Sequence, residues 1–306
     1  MSSYDVVTKI HEIPKDVLDL LNTLNHPFTS HSFLKALEDS ASLNDRTGWY
    51  PNHLIFNMDE EIVGTKPAYI KTNSWGEYVF DHGWAEAYYR AGGAYYPKLQ
   101  VSIPFTPVTG PRFLGCEYQY GSYFQALEQE THDKNLSSAH ITFAPADFLD
   151  HAPEKWLRRV HYQFHWPNNN YSDFDDFLAA LRPKRRKNIR QERQNLNREN
   201  ITFSWLTGAD LTEEIMDRFY SFYISTVEKK WAANYLTREF FRQIALLMPE
   251  QILLVGAYKD QVMVAAALNF ISPQTLYGRY WGCAEDYRFL HFETCYTKKV
   301  NLCDLH

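Results

Sequence analysis

The sequence has 306 residues, of which 45% are hydrophobic and 22% are charged, and its formal net charge is −6. This composition excludes an intrinsically disordered or collagen-like chain. The negative charge excludes a protein that attracts nucleic acid through its whole surface. The length predicts two domains or one large domain. An aromatic share of 16% predicts bulky core layers or a cleft lined with rings.

The lack of a visible targeting signal and the pattern of the cysteines favour a cytoplasmic protein. The first residues carry neither the basic segment nor the apolar run of a secretory signal. The longest apolar run, residues 262–268, is too short to span a bilayer. The cysteines form no Cys-x-x-Cys pair, so we expect neither a metal site nor a disulfide framework. They are Cys116, Cys283, Cys295 and Cys303.

The first half of the chain mixes short helical and strand patterns. Helices are predicted at residues 17–24, 33–37, 84–93 and 124–132, and strands at 54–58, 62–70, 99–103 and 139–143. Pro67 marks an edge or an end of its strand. The order lacks the regular β-α-β alternation of a doubly wound sheet.

A second lobe is predicted to begin near Trp156. Its predicted elements are a strand at 161–166, helices at 173–181 and 211–222, a hairpin of 252–257 with 262–270, and a third strand at 276–281. We therefore predict an α+β fold with mixed, largely antiparallel sheets. Its two lobes would cover residues 1–155 and 156–306.

Two groups of segments are dense in rings, turn formers and single charges. In the first, residues 76–82, 95–100 and 104–110 would place Glu77, Asp81, Lys98 and Thr109 around a cleft. The alternative is a surface loop whose Thr and Asp side chains stabilise turns. The turn at 107–112 would offer backbone N–H groups to an anion, but its single glycine favours an ordinary loop.

The second group comprises residues 277–283 and 291–296. In a regular strand, Tyr277, Arg279 and Trp281 would share one face. His291 and Glu293 would point apart on a helix and share a side in an extended segment. Such a pair can supply a general base and the group that orients it. The alternative is a buried histidine bonded to the backbone and a glutamate at a helix start.

Residues 182–198 form a basic run that would attract the phosphates of RNA or of a phosphorylated cofactor. The run contains Arg182, Lys184, Arg185, Arg186, Lys187, Arg190, Arg193 and Arg198. The alternative is a solvated helix face balanced by acids elsewhere. No P-loop, Rossmann glycine pattern, metal-binding helix motif or nucleophile elbow is present.

Together these segments resemble the FemAB-like peptidoglycan biosynthesis/recognition proteins of the GNAT-type acyltransferase superfamily. The resemblance extends from about residue 28 to residue 296 and is carried by residues 77–84, 95–110, 276–283 and 290–296. It implies two GNAT-like lobes and transfer of an acyl or aminoacyl group to an amine, in cell-wall or related metabolism.

Two departures from the family pattern affect these expectations. The acetyl-CoA loop of GNAT enzymes has no clean match, so acyl-CoA and aminoacyl-tRNA both remain candidate donors, the latter through residues 182–198. The last segment, 297–306, does not resemble the family's closing segment. We therefore expect a second lobe that is incomplete at its C-terminus, with an unpaired edge on the strand at 276–281.

We assign roles to the polar residues within the family-like segments. His291 and Glu293 would act as base or orienting group, and Tyr280 as proton donor. Anionic or polar substrate groups would contact Arg279, Lys98, Glu77, Asp81, Tyr96 and Trp281. The turn at Thr109 and Gly110 would contact the donor. The alternatives are a peptide- or glycan-binding protein without turnover, a tRNA-contacting protein, or an inactive truncated homologue.

Overall fold

The protein is described here by a computed structural model covering residues 3–115, 120–229 and 233–297. The chain divides into two compact units. Unit 1 comprises Met1–Arg158 and Tyr235–Leu247, and unit 2 comprises Arg159–Asn234 and Met248–His306. The predicted lobes, residues 1–155 and 156–306, did not include the return of Tyr235–Leu247 to the first unit.

The described residues of unit 1 form two four-stranded sheets. Its strands are β1 (Ser3–Val7), β2 (Trp49–Pro51), β3 (His53–Met58), β4 (Glu61–Lys66), β5 (Tyr69–Lys71), β6 (Lys98–Val101), β7 (Leu114–Gly115) and β8 (Ala139–Ile141). One sheet has the order β1-β3-β4-β7 and is antiparallel. The other has the order β2-β5-β6-β8, with a parallel last pair.

Local sequence explains the β3–β4 hairpin and its end. Asp59 and Glu60 form the turn with φ of 52° and 67°, and a tight hairpin turn of this kind requires positive φ at both central residues. Leu54 and Phe56 alternate into the core. The strand predicted over 62–70 is two strands, since β4 ends before Pro67 and β5 begins after it.

The helices of unit 1 include one from late in the chain. They are α1 (Lys15–Leu21), α2 (His31–Asp39), α3 (His82–Arg90), α4 (Tyr120–Asp133), α5 (Ala146–Asp150) and, after the excursion through unit 2, α9 (Arg238–Leu247). The Phe33 ring on α2 meets the Phe240 ring on α9 edge-on, with centroids 5.7 Å apart. Thr237 Oγ1 donates to the Ser40 carbonyl at 2.9 Å. These contacts attach α9 to unit 1.

Within the part that the structure describes, unit 2 forms one antiparallel sheet with helices. The strands are β9 (Ile201–Leu206), β10 (Ile252–Lys259), β11 (Val262–Ile271) and β12 (Leu276–Cys283), in the order β12-β11-β10-β9. The helices are α6 (Phe174–Ala180), α7 (Pro183–Arg198), α8 (Glu213–Lys229) and the short α10 (Leu290–Phe292), which continues into a π-helical turn, Glu293–Thr297.

The sheet of unit 2 confirms the predicted hairpin and third strand. Helix α8 packs against β12 so closely that a Cβ at Gly282 would clash with the Phe222 carbonyl. A bulge leaves Arg279 between the pairs Gly278–Asn269 and Tyr280–Leu268. This bulge interrupts the alternation on which the prediction of one shared face for Tyr277, Arg279 and Trp281 depended.

The α+β fold class with largely antiparallel sheets is confirmed. The strand predicted at residues 161–166 is wrong, because the structure assigns these residues no strand. In the described part of the chain, no helix has both the length and the apolar character needed to cross a bilayer.

Candidate functional site

A buried charged cluster lies in unit 1 where β6 begins. We call it the Lys98 cluster; it comprises Ser74, Glu77, Asp81, Tyr95, Tyr96 and Lys98. The Lys98 ammonium donates to Glu77 Oε2 and to Asp81 Oδ2, both at 2.9 Å. Lys98 is fully buried, and Glu77 and Asp81 are each 3% exposed. Burial of an ammonium at this depth requires compensating carboxylates, which the two acids supply.

Asp81 departs from the behaviour its position predicts. It immediately precedes α3, where an aspartate side chain ordinarily accepts a hydrogen bond from a backbone N–H of the first turn. Here it makes no such bond. Its carboxylate instead accepts from Lys98 and from the Tyr95 hydroxyl, at 2.8 Å for the latter. A side chain that makes an internal contact instead of capping its helix breaks a local rule. Such departures are expected at functional sites.

The charges in the cluster do not balance. One ammonium faces two carboxylates, and within the described residues Glu77 Oε1 and Asp81 Oδ1 are buried without a hydrogen-bond partner. Burial raises the pKa of Glu77, although the attraction of Lys98 opposes this rise. Burial also acts to raise the pKa of Asp81, but the nearby Ser74 hydroxyl and the hydrogen bonds from Lys98 and Tyr95 hold it below its ordinary value. The two acids therefore differ in proton affinity, as acid–base pairs in active sites do.

A second buried lysine lies beside the cluster. Lys71 Nζ donates to the carbonyls of Thr47 at 2.7 Å and Trp75 at 3.1 Å. Burial lowers the pKa of Lys71 to about 7, against the attraction of Glu77. Because Lys71 pairs with Lys98 across the β5–β6 ladder, one pair of strands delivers both amines to the same buried region.

Two tyrosines cover Lys98. The Lys98 ammonium lies 5.2 Å from the Tyr95 ring centroid and 5.6 Å from that of Tyr96, within cation–π range. The Tyr96 hydroxyl bonds to the Ser74 hydroxyl. Burial raises the pKa of Tyr95, and it raises that of Tyr96 to about 12. Both tyrosine hydroxyls therefore remain protonated near neutral pH and can donate hydrogen bonds.

Exposed rings surround the segment that supplies the acids. We call them the aromatic belt: Trp75, Tyr78, Phe80, Trp84, Tyr88 and Tyr89, all exposed. Helix α3 buries only Ala85, so most of its surface is open. Exposed rings on consecutive turns can stack against the apolar faces of sugars or peptides, and such a patch marks an interaction surface.

The turn predicted to contact the donor is held by internal bonds. Thr109 is exposed and Gly110 is buried. The Gly110 N–H donates to the Phe143 carbonyl at 3.1 Å, and Arg112 donates to the carbonyls of Gly110 and Val108. Burial lowers the pKa of Arg112 to about 9. These bonds give the turn a structural role, and contact of Thr109 and Gly110 with a donor stays a prediction.

His291 and Glu293 lie in different surroundings in unit 2. Both are helical, so positions two apart face different sides. His291 is exposed, with its ring centroid 5.2 Å from that of Trp281. Glu293 is buried and accepts from Arg193 Nε at 2.7 Å. The sequence left a helix and an extended segment open for these two residues, and the structure has a helix. This arrangement favours separate roles for the two side chains.

The bulge places Arg279 against Tyr280. The Arg279 guanidinium carbon lies 4.9 Å from the Tyr280 ring centroid, and the Tyr280 ring meets that of Tyr223 on α8 edge-on at 5.8 Å. Both side chains are partly exposed. Their proposed contacts with substrate stay predictions.

Helix α7 contains most of the basic run. Some of its cations form ion pairs within unit 2, and others are exposed on the surface. Arg193 bonds Glu293, and Arg190 lies 3.3 Å from Asp175 Oδ1. Arg182, Lys184, Arg185 and Lys187 are exposed at the start of the run. The exposed cations remain suited to phosphate contacts.

The structure brings together four of the predicted site residues: Glu77, Asp81, Tyr96 and Lys98. Sequence reasoning missed Ser74, Tyr95 and Lys71. Tyr95 lies in the Tyr-Tyr-Pro-Lys segment that drew attention to Lys98, so its polar handle was a usable signal. Lys71 gave no signal, because only the β5–β6 pairing reveals its neighbour. Among the described residues, no group of three or more His, Cys, Asp or Glu side chains could hold a metal ion.

Comparison with protein families shows to which family the chain belongs. The model of the FemAB-like family, described as peptidoglycan biosynthesis/recognition, matches residues 9–305. The chain belongs to the FemAB-like family. This membership links the chain to peptidoglycan biosynthesis or recognition at the level of the family. Among curated proteins, none matches this sequence.

The family match also bears on the last residues of the chain. It extends to residue 305 and thus includes the segment interpreted from sequence as unlike the family's closing part. Residues 298–306 lie outside the described residues, and the predicted shortening of the second lobe stays a prediction.

Proposed function

We propose that this FemAB-like protein transfers an acyl or aminoacyl group to the amine of a peptidoglycan precursor in the cytoplasm. The family match over residues 9–305 is the observation that carries the proposal. The Lys98 cluster supports it, since a buried site with acids of unequal pKa beside exposed rings suits recognition of a polar acceptor.

The proposed reaction is a direct acyl transfer. The acceptor amine attacks the ester or thioester carbonyl, a base removes a proton from its nitrogen, and the leaving oxygen or sulfur receives a proton. His291 is our candidate base because it is exposed, whereas Glu293 is bonded to Arg193. Tyr280 is our candidate proton donor to the leaving group.

The geometry changes the role that we propose for Lys98. An ammonium already bonded to two carboxylates cannot hold a substrate anion without separating buried charges. We therefore propose Lys98 as a positioning residue. It would hold Glu77 and Asp81 so that their second oxygens bind the hydroxyl, amide or ammonium donors of the acceptor.

The proposed donor is aminoacyl-tRNA, with acyl-CoA as the alternative. The exposed cations at the start of α7 support a donor rich in phosphate. Acyl-CoA carries fewer phosphates and would need fewer such contacts. Transfer from each donor distinguishes the two.

The test is a transfer assay with radiolabelled aminoacyl-tRNA or acyl-CoA and a peptidoglycan-precursor peptide. We expect a labelled amide product, and we expect His291→Ala to lower the rate about 10²- to 10⁴-fold. His132→Ala is the matched control, because His132 is an exposed histidine on α4. No product with either donor, or equal rates for both variants, would contradict the proposal.

The aromatic belt favours a second candidate function, recognition of glycan or peptide without turnover. Trp84 and Phe80 are largely exposed, whereas large aromatic side chains are usually buried in a protein core. Binding of peptidoglycan fragments that is lost in Trp84→Ala, in a protein that transfers no label, would support this alternative.

A further inference from the structure

Two buried oxygens of the Lys98 cluster accept no hydrogen bond within the described residues. They are Glu77 Oε1 and Asp81 Oδ1. Each of the two acids is only 3% exposed, so bulk water has little access to them. Buried carboxylate oxygens are ordinarily hydrogen-bonded, because leaving one without a donor is costly. The pair of oxygens therefore points to a ligand that supplies donors.

Charge selects the chemical class of that ligand. Lys98 opposes its single positive charge to the two carboxylates. A hydroxyl or an amide would satisfy the two oxygens but leave the negative charge uncompensated, and the acids would repel an anion. A primary ammonium carries three N–H donors and one positive charge, so it would satisfy the oxygens and balance the charge. The same two acids already bind the Lys98 ammonium through their other oxygens, both at 2.9 Å.

Lys71 beside the cluster does not supply this second cation. Its Nζ donates to the backbone carbonyls of Thr47 and Trp75, at 2.7 and 3.1 Å. It also lies 4.1 Å from the Trp49 ring centroid. Burial lowers the pKa of Lys71 to about 7, so a large fraction of this amine is neutral near neutral pH. The negative charge of the cluster is therefore available to a cation from outside.

The two acids lie close to the protein surface. Tyr78 and Phe80, which stand next to them in the sequence, are exposed. Tyr95 and Tyr96, whose ring centroids lie 5.2 and 5.6 Å from the Lys98 ammonium, are partly exposed. Aromatic faces attract cations, and exposed rings can pack against the alkyl chain that carries an ammonium. The surroundings of the acids thus suit an alkylammonium group.

We propose that the Lys98 cluster binds a primary ammonium group of the acceptor at Glu77 Oε1 and Asp81 Oδ1. As a statement about the acceptor, this inference rests on the proposed function and narrows the donors considered there to one class. An ammonium nitrogen has no lone pair, so the group held by the cluster is not the nitrogen that attacks the carbonyl. The acceptor therefore carries a second amino group besides the one that reacts.

The first experiment measures binding of n-butylammonium to the full chain by isothermal titration calorimetry, with n-pentanol as its neutral isostere. We expect the ammonium to bind at least about tenfold more tightly than the alcohol, because hydrogen bonds to charged groups are the stronger ones. This comparison needs no variant. Equal affinities, or no binding of the ammonium, would overturn the proposal.

A matched pair of variants locates the binding site. Glu77→Gln keeps the shape of the side chain and removes its charge, and it should weaken ammonium binding at least about tenfold while leaving pentanol binding unchanged. Glu86→Gln makes the same change on the exposed face of α3 and should leave both affinities within about twofold, because exposed charges are screened by solvent. Circular dichroism establishes that both variants are folded. Equal effects of the two variants would overturn the assignment to the cluster.

The second experiment uses the transfer assay with an acceptor peptide that has an α-amine and a side-chain amine. Acetylating the amine that does not become labelled should raise KM about tenfold and leave kcat within a few-fold, since uniform binding is lost. Transfer with an unchanged KM would overturn this inference and leave the proposed function intact. Ammonium binding without transfer to either peptide would contradict the proposed function and support the cluster as an ammonium site.

Discussion

The Lys98 cluster in unit 1 and the Arg193–Glu293 pair in unit 2 are both buried ionic contacts, but they differ in balance. Glu293 accepts a hydrogen bond from the Arg193 guanidinium, whose side chain is 25% exposed and can be hydrated. Lys98 is fully enclosed and faces two carboxylates, each with one oxygen that lacks a bond within the described residues. A balanced pair needs no further partner. An unbalanced one retains binding capacity, which makes the cluster the stronger candidate for a ligand.

Lys98→Met should have the largest effect on stability. It leaves two carboxylates buried without their ammonium, and we expect the free energy of unfolding to fall by about 3–5 kcal/mol. Denaturant unfolding measures the loss. Adding Glu77→Gln and Asp81→Asn to Lys98→Met should recover part of it, because the uncompensated charges are then removed. A loss that the triple variant does not reduce would mean that packing, not charge, holds the cluster.

Glu293→Gln should cost less, about 1–2 kcal/mol, since it weakens one charge-assisted bond while Arg193 can turn to water. The same denaturant measurement applies, with Glu86→Gln on the exposed face of α3 as control. If Glu293→Gln destabilised the protein as much as Lys98→Met, the contrast between the two contacts would be lost.

Tyr95→Phe removes one donor to Asp81 and leaves Lys98 in place. We expect a loss of about 1 kcal/mol and a higher Asp81 pKa. Because the folded-state pKa of Asp81 is low, its contribution to stability is present above its ordinary pKa and is lost as the pH falls. The variant should therefore lose less stability on acidification than the wild type. Tyr89→Phe, on an exposed ring, should match the wild type.

Glu77→Gln should have the smallest effect, visible mainly in the pH dependence. With a raised folded-state pKa, Glu77 retains its proton longer in the folded protein than in the unfolded chain. Its contribution is complete below the ordinary glutamate pKa of about 4.3 and is lost as the pH rises through the raised value. The variant should flatten this decline by up to about 1 kcal/mol. An unchanged slope would assign the decline to other groups.

The sequence predicted elements whose evidence is local. Alternating side chains and a polar turn defined the hairpin of β10 and β11, and prolines marked strand ends. The gathering of Glu77, Asp81 and Lys98 was also expected, because turn-rich segments flanked β6. What failed depended on distant partners. Residues 161–166 have the periodicity of a strand, but periodicity does not supply a neighbouring strand.

Two further features could not be read from local pattern. The bulge at Arg279 depends on how β12 pairs with β11, and a single-residue insertion leaves no signature in alternation. The attachment of α9 to unit 1 depends on Phe240 meeting Phe33, residues far apart in sequence. The position of Lys71 also depends on a distant partner. Only the β5–β6 register shows that it is a neighbour of Lys98.

The return of α9 to unit 1 makes that unit discontinuous in sequence. The chain leaves it after Arg158, comes back at Tyr235 and leaves again after Leu247. No single cut can release an intact unit 1, and a fragment ending at Arg158 would uncover the Phe33 side of α2. During synthesis, this side stays uncovered until the ribosome has made residues 159–234 of unit 2 and then α9 itself. Completion of the earlier unit is therefore delayed to a late stage of translation.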